Sequence, residues 1–123
     1  MKPVDVEGLL VGVLRPVVAP SKVATKLPNP RPAQFVRVTR AGGARRNVAQ
    51  SGSRVIVECW AASETDAWAL CVAAYDALDD LDVDPGELPF MSVDLSDPVN
   101  YPDTATGSPR YQFIATIITN LKE

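Results

Sequence analysis

Apolar residues recur along this chain at two periods, and each change of period marks a boundary between elements. In residues 4–15, VDVEGLLVGVLR, and just beyond, the positions Val6, Leu10, Val13, Leu14 and Val17 fall near helical spacing, and Asp5 and Glu7 suit a helix N-terminus. The pattern predicts a helix weakened by two glycines and ended by Pro16. Residues 17–34 form a proline-rich connection that encloses a short strand at Val23–Leu27. Pro28, Pro30 and Pro32 favour an extended, stiff segment there.

FVRVTR (35–40) alternates with period two, as does the stronger SRVIVECWA (53–61). On the second strand Val55, Val57 and Cys59 share one face, while Ile56, Glu58 and Trp60 share the other. The twelve residues between them, AGGARRNVAQSG, are too many for a tight turn and are expected to form an extended, mobile hairpin tip. Ser63 opens the clearest helix, SETDAWALCVAAYDALDDL. Asp66 stands at the fourth capping-box position, and Ala67, Cys71, Ala74, Leu78 and Leu81 run down one stripe. Small residues on that stripe favour close packing against a sheet. FMSVDLSDPVNYPD (90–103) predicts a strand leading into a loop. RYQFIATIITNL (110–121) is apolar on both faces, which predicts a central strand. The expected fold is one α+β domain over residues 1–123: a mostly antiparallel sheet of about four to five strands with two helices on one face.

Composition narrows the function more by exclusion than by signal. No histidine is present, which removes Ser-His-Asp and Cys-His catalysis, histidine zinc sites and a physiological-pH switch. Cys59 and Cys71 sit in apolar patterns and read as small buried residues, compatible with synthesis in a reducing cytoplasm. There is no P-loop, no G-x-S-x-G and no paired cysteine spacing, so no catalytic, metal or cofactor site is expected, and no enzyme. Asp80, Asp82 and Asp84 begin like a calcium loop, but Pro85 and Met91 occupy positions that need Gly and Glu. GLLVGVL (8–14) falls far short of the ~20 apolar residues of a membrane span, and no membrane association is expected.

Charge is segregated along the chain. Residues 22–54 hold Lys22, Lys26, Arg31, Arg37, Arg40, Arg45, Arg46 and Arg54 and no acid; residues 55–103 hold twelve acids and no Lys or Arg. Six of those acids lie between Asp76 and Glu87, at the end of the second helix, where the macrodipole disfavours them. Three arrangements account for the segregation. The two segments neutralise each other inside the fold; or they form opposite surfaces of a self-complementary subunit that stacks head to tail into a ring; or the arginine-rich stretch binds nucleic acid. Against the last stand a pI near 4.9 and the lone aromatic Phe35 within residues 22–54.

Three blocks in order, PAQFVRVTRAGG (32–43), VIVECWAASETDAWALCVAAYDAL (55–78) and DPVNYPDTATGSPRYQFIATI (97–117), resemble the tail terminator proteins of long, non-contractile-tailed phages of actinobacteria. The resemblance covers about residues 30–121. It implies an α+β subunit, made in the host cytoplasm, that assembles into a hexameric ring at the tail–head junction of the virion. The ring would cap the tail tube protein, stop its polymerisation and offer its other face to the head-completion protein, with genomic DNA passing through the lumen unread. On that reading Arg45 and Arg46 anchor the hairpin tip to the tube or a neighbour. Arg37, Arg40 and Arg54 would face Asp79, Asp80, Asp82 and Asp84 of the adjacent subunit. A head–tail connector of the same virion and a small nucleic-acid-binding regulator using the arginine loop are the alternatives.

Overall fold

The computed structural model describes residues 4–47 and 49–120. Helix α1 spans Val6–Val18 and opens on Asp5, whose carboxylate accepts the Gly8 N–H at 3.1 Å. Val6, Leu10, Leu14 and Val18 recur every four residues and are buried. Pro16 does not end this helix, contrary to the sequence expectation; it sits inside the last turn. The carbonyl it leaves without a donor belongs to Gly12, which is exposed and open to water, and the extra residues bury Val18.

Strand β1 (Lys22–Ala24) is shorter than expected and runs parallel to β2 (Phe35–Arg45), beside Phe35–Arg37 only. The proline-rich segment between them is the crossover. β3 (Gln50–Trp60) pairs with β2, and α2 (Glu64–Val83) follows, with the Ser63 hydroxyl accepting the Asp66 N–H at 3.1 Å as the capping pattern predicts. Two strands, β4 (Phe90–Leu95) and β5 (Val99–Asn100), share one side of β6 (Arg110–Asn120), whose other side pairs with β3 throughout. The sheet order is β1-β2-β3-β6-β4, antiparallel except for β1–β2. Its six strands exceed the expected four to five by the two-residue β5, which is too brief to show a period. The expected last position of β6, Leu121, lies outside the described residues.

Both helices cover one face. α2 lies over β3, β6 and β4, and α1 over β1 and β2 beside it. Val36, Val38, Val55, Val57, Cys59, Phe113, Ala115 and Ile117 meet Ala67, Leu70, Cys71, Ala74 and Leu78 in one core. Ala67, Cys71 and Ala74 let the helix approach closely, and Tyr75 meets Phe113 edge-on at 5.4 Å between ring centroids.

The expected mobile tip at 41–52 is instead mostly strand. β2 runs on to Arg45 and β3 starts at Gln50. Two causes are visible. β6 flanks β3 as far as Gln50 and buries Ser51, Ser53 and Thr119, so the outer half of the hairpin has a partner on its far side. A bulge between Arg40 and Gly42 absorbs one residue, and Gly42 and Gly43 take positive φ of 135° and 136°, which other residues rarely adopt. A side chain at Gly43 would also collide with the Gly52 carbonyl.

Candidate functional site

The uncovered face of the sheet carries a cluster that accounts for part of the charge segregation. Glu58 stands in β3 directly across from Arg37 in β2, with its side chain only 8% exposed. A carboxylate this dry requires counter-charge. Arg37 supplies it at 2.7 Å, and Arg110, at the start of β6, at 3.1 Å. Two residues along β3, on the same face, Trp60 stacks on Phe35 with centroids 4.5 Å apart. The guanidinium carbons of Arg31, Arg37 and Arg110 lie 5.3, 5.4 and 5.2 Å from its ring.

Arg31 also pairs with Asp103 at 2.7 Å. That contact, seconded by the Ala105 N–H, holds the Asp103 carboxyl at about 2, below its ordinary value. The Trp60 indole N–H lies close enough to Asp103 to help, without reaching hydrogen-bonding geometry. Arg110 Nε donates to the Tyr101 carbonyl at 2.8 Å. Crossover, hairpin, loop and β6 are thereby locked over one ring. Arg37 therefore belongs to the fold, and the blocks YPD (101–103) and PRY (109–111) are occupied in loop and strand-start packing. Glu58, Trp60, Arg31, Asp103 and Arg110 were not singled out from the sequence as one group. The signal available was Glu58 itself, the lone acid within the apolar run VIVECWA.

The other predicted residues lie elsewhere. Arg40 sits at the bulge, Arg54 faces outward on β3, and Arg46 stands exposed at the hairpin tip. Arg45 donates to the Asn47 carbonyl at 3.1 Å. On the acidic side, Asp82 accepts the backbone N–H of Val93 at 2.8 Å and Asp84 that of Gly86 at 3.1 Å; Asp79 and Asp80 project into solvent at the end of α2. One row of cross-strand partners relates the two groups: Arg45, Ser51, Thr119, Phe90. Both lie at the same end of the sheet but on opposite edges. Three strand spacings, about 14 Å, separate them, beyond the ~8 Å screening length at physiological salt. None of the three ion pairs formed among the described residues joins them. Mutual neutralisation thus accounts for Arg31 and Arg37, and none of these pairs reaches Arg40, Arg46, Arg54 or the α2 end.

The basic edge continues past the hairpin. Beside β1 a cleft of about 550 Å³ is lined by Arg15, Lys22 and Lys26 around Val23, Leu27 and Pro28. In the core, Cys59 and Cys71 are both reduced; their mutual hydrogen bond, with burial, pushes the Cys59 thiol up. Among the described residues no group of Cys, Asp and Glu is arranged to hold a metal ion, and no helix is long and apolar enough to cross a membrane. Compared with known proteins, the chain matches no family model, and no curated protein matches it in sequence.

Proposed function

We propose that this chain is a structural virion-assembly protein: a subunit that associates head to tail into a ring, caps the tail tube of a long-tailed phage and ends its polymerisation. The opposite face of the ring would receive the head-completion protein, and DNA would pass through the lumen without being read. The observation that carries this reading is the placement of a basic and an acidic surface on opposite edges of one sheet, at the same end. A subunit of that kind is complementary to a second copy of itself through a heterologous contact, which closes into a ring when the rotation per subunit allows. The resemblance of residues 30–121 to tail terminators supplies the identity of the ring and its expected hexameric order. Function on this reading lies in surfaces, with Arg40, Arg45, Arg46 and Arg54 on one side and Asp79 and Asp80 on the other.

The direct test is to add the purified protein to its tail tube protein during polymerisation in vitro. Capped tubes should stop growing and show a ring at one end by negative-stain electron microscopy. Tubes that keep growing without a terminal ring would refute the proposal. A strict monomer or dimer with strong, salt-sensitive DNA binding would move the assignment to the nucleic-acid regulator.

A further inference from the structure

β2 has eleven residues, but β1 covers only Phe35–Arg37. Among the described residues no strand pairs with its outer side from Val38 to Arg45. An uncovered strand presents a row of unpaired N–H and C=O groups, and proteins ordinarily blunt such edges. This chain does so on its other edge. Beside β4 the Asp82 carboxylate takes the Val93 N–H, and a register shift between Phe90 and Ser92 breaks the strand's regularity. The free part of β2 also has a bulge, but its next residues, Ala41, Gly42, Gly43 and Ala44, have almost no side chain to keep a neighbour away. Arg40, Arg45 and Arg46 surround that stretch, and no acid is near in sequence. The edge is open, approachable and basic.

The surface that fits it is on the same chain, at the opposite edge and the same end. Asp79 and Asp80 are exposed on the last turns of α2, three and two residues before Asp82, which already caps a strand edge. Moving one copy sideways along the sheet, without turning it over, brings its acidic edge against the basic edge of the next. Strand direction suits the contact. β2 and β4 are related by three antiparallel steps, so the neighbour's β4 side arrives running opposite to β2. β1 blocks the approach below Val38, which confines the contact to the hairpin's outer half.

We infer that the free edge of β2, between Val38 and Arg45, is the seat for the acidic end of α2 of a second copy. Asp79 and Asp80 of that copy take edge N–H groups, as Asp82 takes that of Val93, and pair with Arg40 and Arg46. The inference rests on the ring reading and specifies which surfaces close the ring. Repetition of one heterologous contact leaves no free edge in a closed ring and one at each end of an open chain.

The test uses two charge-reversed variants of the full chain, R40E/R46E and D79K/D80K. All four side chains are exposed, and far-UV circular dichroism checks that both variants fold. Sedimentation velocity at low salt, where an ionic contact is strongest, should show the wild-type chain associating. Each variant alone should associate at least about tenfold more weakly. An equimolar mixture should recover association, because every contact in an alternating assembly again joins opposite charges. Wild-type association that both variants retain, or a mixture that does not recover, would overturn the inference. So would a wild-type chain that stays monomeric at high concentration in low salt; the tube-capping assay would then still decide the ring reading by itself. As a readout independent of charge reversal, A44C chains mixed with D80C chains should form a disulfide between copies faster than either alone. Equal rates would count against the contact.

Discussion

Replacing Glu58 by Gln keeps the side chain's size and removes only its charge, so the variant isolates what the arginine cluster contributes to folding. Removing one member of a buried ion pair costs about 3–5 kcal/mol, because the partner is left charged and poorly hydrated. Here the two partners differ. Arg110 is 12% exposed and stays trapped between Trp60 and Tyr101, whereas Arg37, 28% exposed, can turn toward water. That partial escape brings the expected loss down to about 2–4 kcal/mol. With an unfolding entropy of roughly 2.1 cal/mol/K per residue, 123 residues lose about 8–15 °C of melting temperature. Differential scanning calorimetry measures the shift. The cluster also contains one of the two tryptophans, so fluorescence can follow its opening separately. Asp94→Asn, an exposed acid on β4 with no ion pair among the described residues, serves as the control and should stay within about 2 °C. A fall of less than about 2 °C for Glu58→Gln would mean that the cluster is hydrated. Arg37 would then return to the set of available surface charges.

The backbone and the acid limb of stability offer three further checks. Gly43→Ala combines a positive φ with a collision against the Gly52 carbonyl and should cost more than ~2 kcal/mol in urea unfolding. Gly12→Ala, in an exposed part of α1 where nothing lies within 4 Å, should add about 0.5–1 kcal/mol. Because the Asp103 carboxyl falls from 3.8 to about 2 on folding, its stabilisation is complete above 3.8 and is lost as pH drops through about 2. Asp103→Asn should therefore be less stable than wild type at neutral pH, and the gap should close across that window. A gap that stays constant would exclude the Arg31 contact as its source.

How much of this was legible in the sequence depends on whether a feature is local. α2 could be read because its stripe, its Ser63 cap and its first-turn acids all lie within the segment. The centrality of β6 followed from apolar residues on both its faces. Failures came where a distant partner decides the outcome. Residues 41–52 are poor in apolar positions and rich in glycine, so alone they look like a loop. Residues 41–45 and 50–52 are strand because β6 flanks β3 there. Pro16 stays helical because Val18 has a core to enter. The charge segregation was visible in the sequence, but which charges cancel depends on register: Arg37 meets Glu58 only because β2 and β3 align as they do. Without that alignment Arg37 and Arg40 are indistinguishable.

The position of β6 constrains how the protein can be made. β6 follows every other strand in the sequence yet lies between β3 and β4, supplying Phe113, Ala115 and Ile117 to the core. As the chain leaves the ribosome, the hairpin and α2 emerge first and meet a sheet that lacks its middle. β3 then shows an unpaired inner side bearing Val55 and Val57, the kind of surface that recruits unrelated strands. Long-range closure has to come before most of the packing that rewards it, so the domain should condense in one late step once residues 110–120 are available. A nascent chain arrested before Arg110 would be open to proteases along its whole length, and one released beyond Asn120 would be resistant.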